Sequence, residues 1–302
     1  MTISVALCTY NGEQYLQAQL ESIAHQSRLP GELVVCDDRS TDQTLDIIKR
    51  FAESAPFPVR LQDNDRTLGS TGNFQQAIAL CQGDIIALAD QDDIWFPDKL
   101  ESLESALRVN GAAAAAFSNA DIVNARLKPT GRTLWQSVRF DKREQQMVAD
   151  GEAVAVLLKH NVVTGATLAF RSEFKDVLLP IPKVGVNDGC IALLLSVLAN
   201  IALVHRSLLM YRQHEANQIG ATSGLHERLA TRHIHLDWLH TQVQRYTAFE
   251  ARLMELPDVP NKERISEELC AKVRHMERRA VPLDRKITRI AALLEEIAKG
   301  GD

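Results

Sequence analysis

Short apolar runs alternate with stripes of helical period through the first 117 residues. Residues 3–8 read as a strand, and residues 14–25 as a helix with Leu16, Leu20 and Ile23 on one face. Residues 33–36 make a second strand. A helix then opens at Ser40-Thr41-Asp42-Gln43, whose spacing fits a capping box, and Leu45, Ile48 and Phe51 give it an apolar face. Residues 59–62 form a third strand, residues 70–81 a helix, and residues 85–89 a fourth strand. A helix from Pro97 carries Leu100, Leu103 and Leu107. Such alternation predicts an α/β fold of parallel strands joined by crossover helices.

The middle of the chain is less regular. Residues 112–117 read as a strand, 121–142 as a polar stretch, and 162–170 as a turn running into a strand. Residues 190–198 are an apolar helix, and 201–204 and 208–211 are two further strands. From Leu225 onward the composition is helical. Leu229, Leu236 and Val243 repeat at seven, and Ile287, Ile290, Leu294 and Ile297 make a second stripe. Residues 256–260 carry two prolines and separate the helices.

Composition narrows the class. At 302 residues, 45% hydrophobic and 24% charged, the chain has the make-up of a soluble globular protein. The net charge of −5 gives no global reason to expect nucleic acid as a partner. The first eight residues lack the basic start and length of a signal peptide, and no apolar run reaches the roughly 20 residues that span a bilayer. Cys8, Cys36, Cys81, Cys190 and Cys270 are odd in number and widely spaced, which suits free thiols in a reducing cytoplasm.

Three strand ends carry the chemistry. The fourth strand runs into Asp90-Gln91-Asp92-Asp93, three carboxylates crowded where buried parallel strands deliver functional groups. Crowded anions call for a cation or hydrogen-bond donors, and the natural cation is Mg²⁺ or Mn²⁺ completed by phosphate oxygens. The second strand ends in Asp37-Asp38, where the Asp38 carboxylate has the acceptor chemistry for N3–H of a uracil or thymine ring or for a pairing with Arg39. The first ends in Cys8-Thr9-Tyr10-Asn11-Gly12, a turn suited to a planar ring and its ribose and equally to an ordinary Asn-Gly turn.

Taken together these segments resemble the inverting family-2 glycosyltransferases of GT-A fold. The resemblance rests on residues 6–12, 34–42, 69–77 and above all 89–100, the run Ala-Asp-Gln-Asp-Asp-Ile-Trp-Phe-Pro-Asp-Lys-Leu. It is nearest to the bacterial rhamnosyltransferase branch and continues through Thr164-Gly165-Ala166-Thr167 and residues 211–217. It implies a GT-A domain over residues 1–224, with a nucleotide-binding half (1–117) and an acceptor half (118–224), followed by a helical extension over 225–302. Thr9, Tyr10 and Asp38 would hold the nucleotide base side, Asp90 the ribose, and Asp92 the metal. Asp93 would bind sugar hydroxyls or cap the helix that starts near Pro97. Asp188 is the implied general base, although its place at the start of a helix also suits an N-cap. The rhamnosyltransferase pattern has His-Asp there, and this chain has Asn187-Asp188, which leaves the acceptor open.

His214 would return to the metal or diphosphate, and Arg212 would pair with a phosphate. Thr164 and Gly165 would line the acceptor side, and Trp95 would stack on a sugar or pack in the core. The implied substrates are a dTDP-deoxysugar such as dTDP-rhamnose, or a UDP-hexose, and a glycan or lipid-linked acceptor. A sugar-nucleotide pyrophosphorylase would need a Gly-rich basic loop after the first strand, and residues 10–14 are neither. A dinucleotide oxidoreductase would need GxGxxG. A non-catalytic scaffold would have no use for four intact acids. Seven basic and two acidic residues between Lys272 and Arg289 make either a solvated helix face or a patch for the inner membrane surface, and the extension is also a candidate dimer contact.

Overall fold

The computed structural model describes residues 1–182, 187–215, 232–257 and 259–279. It divides into two compact units, Met1–Ala221 and Thr222–Asp302. In the first, β1 (Ile3–Thr9), β2 (Glu32–Asp37), β3 (Val59–Asp63) and β4 (Ile85–Asp90) are parallel, with β1 between β2 and β4. Helices α1 (Leu16–Ala24), α2 (Thr44–Ala52) and α3 (Gly69–Leu80) fill the connections. Next come β5 (Ile94–Trp95), α4 (Lys99–Val109), β6 (Ala113–Asn124), β7 (Pro129–Thr133), α5 (Leu134–Ser137), α6 (Lys142–Ala149) and α7 (Ala153–Lys159). A short 3-10 turn (Gly165–Thr167) leads into β8 (Leu168–Arg171), then α8 (Lys175–Leu178), α9 (Asn187–Leu198) and β9 (Asn200–Gln213).

Among the described residues these strands form one sheet in the order β3-β2-β1-β4-β8-β6-β9-β5, with β7 paired to β6. Strand β8 is antiparallel to both β4 and β6, so β4 and β6 point the same way. Strand β9 is parallel to β6. The C-terminal ends of β1, β2, β4, β6 and β9 therefore share one edge. Alternation along β1 puts Ile3, Val5 and Leu7 into a core with the apolar faces of α1, α2 and α4.

Several local expectations change. The two strands expected at 201–204 and 208–211 are one strand, because register shifts opposite Ser118–Asp121 absorb the polar residues between them. The polar stretch at 121–142 holds the end of β6, all of β7 and α5, whose capping box is built by Thr133 and Gln136. No capping box forms at Ser40: α2 starts at Thr44, and Asp42 Oδ1 accepts the Thr44 N–H at 3.0 Å instead. Ser40 is bound to Asp37 through both its N–H and its hydroxyl.

In the second unit, α10 (Arg232–Glu255) is followed by a break and then by helix over residues 262–279. Leu229 and the stripe at Ile287, Ile290, Leu294 and Ile297 lie outside the described residues, as does the end of the basic run. Among the described residues no helix is long and apolar enough to cross a membrane.

Candidate active site

The shared sheet edge gathers the loops after β1, β2 and β4. Two non-glycine residues there have left-handed backbone, Asn11 (φ 47°) and Arg39 (φ 66°). Cross-loop bonds hold them: Asn11 N–H donates to Ser40 Oγ at 2.8 Å, and Thr41 N–H donates to Asn11 Oδ1 at 2.8 Å. Beneath them Asp37 is fully buried and accepts the hydroxyls of Thr9 and Ser40, each at 2.6 Å. Thr9 is itself 2% exposed. Its side chain braces the loop from inside rather than facing the open edge.

Tyr10 is the exposed aromatic of this edge, 48% accessible. Gln91 clamps it: Tyr10 N–H donates to Gln91 Oε1 at 2.9 Å, and Gln91 Nε2 donates to Tyr10 C=O at 3.1 Å. Gly12 makes room for that amide, since a Cβ at Gly12 would lie 2.3 Å from Gln91 Oε1. Sequence reasoning passed over Gln91, whose position between two acids drew attention to its neighbours.

Asp38 is 5% exposed and turned toward the start of α3. Its Oδ1 accepts Leu68 N–H at 2.7 Å and Asn64 Nδ2 at 3.1 Å, and its Oδ2 accepts Gly69 N–H at 2.9 Å. A carboxylate has about four acceptor positions, so this donor set leaves about one.

The acidic run after β4 separates into unlike groups. Burial, then Asp92 and Asp188, push the Asp90 carboxyl up to about 7, opposed by Lys99. The Asp92 carboxylate is 14% exposed, and its Oδ2 lies 2.8 Å from His214 Nε2. Asp93 is completely buried. Its Oδ1 accepts the Arg212 N–H of β9 at 3.0 Å, while its Oδ2 has no partner. Asp93 is therefore neither a sugar contact nor a helix cap. It pins β9, and α4 begins after Asp98 without a side-chain cap.

Arg212 departs from expectation in the same way. It is 4% exposed, with Nε on Asp92 C=O at 2.6 Å, Nη1 on Ala125 C=O at 2.9 Å, and its guanidinium 4.4 Å from the Tyr15 ring. The fork expected to meet phosphate ties loops together instead. Trp95 is 3% exposed and its ring lies 3.4 Å from Lys99 Nζ, so it packs in the core and offers no face to a sugar.

Lys99 is fully buried and donates to Ala166 C=O at 2.5 Å, in the 3-10 turn of the acceptor side. Burial holds its ammonium well below the usual range, opposed by Asp93 and Asp90. The next residue back along that turn, Gly165, donates its N–H to Asp188 Oδ2 at 2.9 Å. Asp188 Oδ1 accepts Gly189 N–H at 2.6 Å and faces Asn161 Nδ2 at 3.4 Å. A Cβ on Gly165 would sit 3.4 Å from that of Asp188, an ordinary van der Waals contact, so the two residues pack side by side. Thr164 lies beside them, half-buried, with its C=O bound by Thr167. The edge thus brings together Tyr10, Asp38, Asp90, Asp92, His214, Gly165 and Asp188, and sends Thr9, Trp95 and Arg212 inward.

Among the described residues no group of three or more His, Cys, Asp or Glu is arranged to hold a metal by itself. The Asp92–His214 pair does fit two places on one ion. Neighbouring ligands of an octahedral ion with bonds of about 2.1 Å lie about 3 Å apart.

Comparison with known proteins identifies the fold and the family. The dTDP-rhamnosyl transferase RfbG of Shigella flexneri is 28% identical over 234 residues, covering 71% of this chain and 74% of the relative. The S. aureus TarS 1–349 structure with UDP-GlcNAc superposes with a TM-score of 0.63 at 18% identity, covering 90% of this chain and 72% of that one. A mannosyltransferase from Pyrobaculum calidifontis, solved with GDP-Man and Mn²⁺, matches with a TM-score of 0.58 at 18% identity, over 96% and 79% of the two chains. These likenesses establish the GT-A fold. The model of glycosyl transferase family 2 matches residues 4–157, and the chain belongs to that family of glycosyltransferases.

Proposed function

We propose that this glycosyltransferase is inverting and metal-dependent, and moves a sugar from a nucleotide donor to a glycan or lipid-linked acceptor. The donor is a dTDP-deoxysugar, with a UDP-hexose as the alternative. The likeness to a dTDP-rhamnosyl transferase supports the first, and the neighbour solved with UDP-GlcNAc the second. The Tyr10 ring stacks on the base, the remaining acceptor position of Asp38 takes its N3–H, and Asp90 receives a ribose hydroxyl. A divalent cation, Mg²⁺ or Mn²⁺, would be held by Asp92 with His214, and when bound it supplies Lewis acidity that offsets charge on the departing diphosphate.

One observation carries the reading: Asp188 is fixed through both oxygens by backbone N–H groups, close enough to Asp90 to raise its carboxyl. A base must take the proton of the acceptor hydroxyl as its oxygen attacks the anomeric carbon opposite the leaving phosphate. Inversion follows, because the new bond forms on the face opposite the broken one. Asp188 takes that proton, and the Gly165 N–H holds the carboxylate in place.

Asp188→Asn tests the assignment. Transfer should fall by about 10²–10⁴-fold, the usual worth of a positioned base. Affinity for the nucleoside diphosphate should stay within about twofold. Transfer that survives the substitution would remove Asp188 from the role. A panel of dTDP-, UDP- and GDP-sugars, scored for metal-dependent release of nucleoside diphosphate, identifies the donor.

A further inference from the structure

We propose that the β6–β7 hairpin is a docking surface for an anionic lipid bilayer. Residues 124–132 are all exposed, so the hairpin projects from the sheet. It carries Arg126, Lys128 and Arg132, and no acid lies between Asp121 and Asp141. Arg139, Lys142 and Arg143 follow, also exposed. Residues 122–143 therefore hold six basic side chains against one acidic, in a chain whose net charge is −5. That local sign is opposite to the sign of the whole, and it faces solvent.

The apex is built as well as charged. Leu127 sits there with φ 59° and is 37% exposed, between the two cations Arg126 and Lys128. Asn124 fixes the turn: its Oδ1 accepts the N–H of Arg126 at 2.9 Å and of Lys128 at 3.1 Å, and its C=O accepts Leu127 N–H at 2.9 Å. The foot of the hairpin is anchored by Trp135, whose ring packs on Phe117 at 5.8 Å and Phe140 at 5.1 Å. A rigid turn thus presents an apolar tip flanked by ammonium and guanidinium groups. Lipid headgroups satisfy the cations while the boundary beneath them takes the leucine. A soluble polyanion would engage the cations and leave Leu127 in water, which is why the bilayer is the favoured occupant.

The hairpin adjoins the site. The Arg212 guanidinium reaches Ala125 C=O with one nitrogen and Asp92 C=O with another. A bilayer seated on the hairpin would bring lipid-borne acceptors to the edge that carries Asp188. Docking itself depends on no feature of the transfer reaction, so it is testable without turnover.

Sedimentation of the full chain with vesicles decides it. Phosphatidylcholine vesicles are compared with vesicles that also contain phosphatidylglycerol. Binding should require phosphatidylglycerol. The triple variant Arg126→Ala, Lys128→Ala, Arg132→Ala should weaken it on the order of 100-fold, at about one basic residue's contribution each. Leu127→Asp should weaken it while leaving all three cations in place. Melting temperature and nucleoside diphosphate affinity serve as folding controls, and the exposed positions predict no change in either. Absence of wild-type binding, or triple-variant binding equal to wild type, overturns the proposal. So does a Leu127→Asp variant with undiminished vesicle binding, because the apolar tip would then take no part in docking.

Discussion

At the scale of single residues, the edge works by assigning each polar group a separate partner. Gly12 is the plainest case. Its missing Cβ is the space filled by the Gln91 amide, which in turn holds both backbone groups of Tyr10. Gly12→Ala should expel Gln91, cost about 1–2 kcal/mol for the lost hydrogen bonds, and raise the KM for donor as Tyr10 loosens. In a Gln91→Ala background the same substitution should cost little more, because the collision is gone. A double-mutant cycle on melting and donor KM measures that coupling, and additive effects would count against the clamp. Asp90 gives a second test. An ordinary aspartate titrates near 3.9, and burial beside Asp92 and Asp188 moves this one up to about 7. Between those values the unfolded chain has released the proton that the folded chain still holds. Stability therefore falls as pH rises from about 4 to about 7 and stays low above that. The metal-free protein should melt lower at about pH 8 than at about pH 5, Asp90→Asn should shrink the difference, and added Mn²⁺ should raise the melting temperature more at the higher pH. Equal pH dependence in wild type and Asp90→Asn would remove Asp90 as its source.

At the scale of elements, the parts that read cleanly from sequence are those whose stability is local. Strands β1, β2 and β4 are mostly apolar runs buried on both faces, β3 alternates apolar and polar residues at the sheet margin, and helices α1 to α4 carry apolar stripes, so period and length suffice. Elements made by distant pairing do not read. Strand β5 is two residues long and exists because Ile94 and Trp95 pair with Met210 and Leu209 of β9. Strand β7 has no apolar residue to announce it and is held by β6. The site divides on the same line. That Asp90, Asp92 and Asp93 matter is legible from three acids at a strand end, and Asp188 from an acid opening an apolar helix after a Pro-containing loop. Which acid does what is decided by residues some 120 positions away, the Arg212 N–H that claims Asp93 and the His214 ring that meets Asp92. The inward turn of Arg212 and Trp95 is illegible for the same reason. A guanidinium at a strand end suits phosphate as well as backbone carbonyls, and only the arrival of Ala125, Tyr15 and Lys99 chooses between them.

For the whole molecule, the candidate site falls within one of the two compact units. Tyr10, Asp38, Asp90, Asp92, Gly165, Asp188 and His214 all belong to Met1–Ala221, which holds the complete sheet and the core cluster beneath it. A unit of 221 residues lies within the range where one core sustains an independent domain. A chain ending at Ala221 should therefore melt cooperatively and bind nucleoside diphosphate within about threefold of the full chain, since about 1 kcal/mol or less would be lost. It should also keep metal-dependent release of nucleoside diphosphate from the donor sugar. We propose that the extension over Thr222–Asp302 serves association, either with a second copy or with a membrane surface. Sedimentation equilibrium of the two chain lengths separates those roles, because a dimer that becomes a monomer on truncation assigns the extension to self-association. Vesicle binding divides them from the other side. If the hairpin carries docking, truncation leaves most of it in place, and if the extension carries it, truncation abolishes it while Arg126, Lys128 and Arg132 remain. Loss of nucleotide binding in the shorter chain would show instead that the extension completes the donor site, and the division between the units would have to be redrawn.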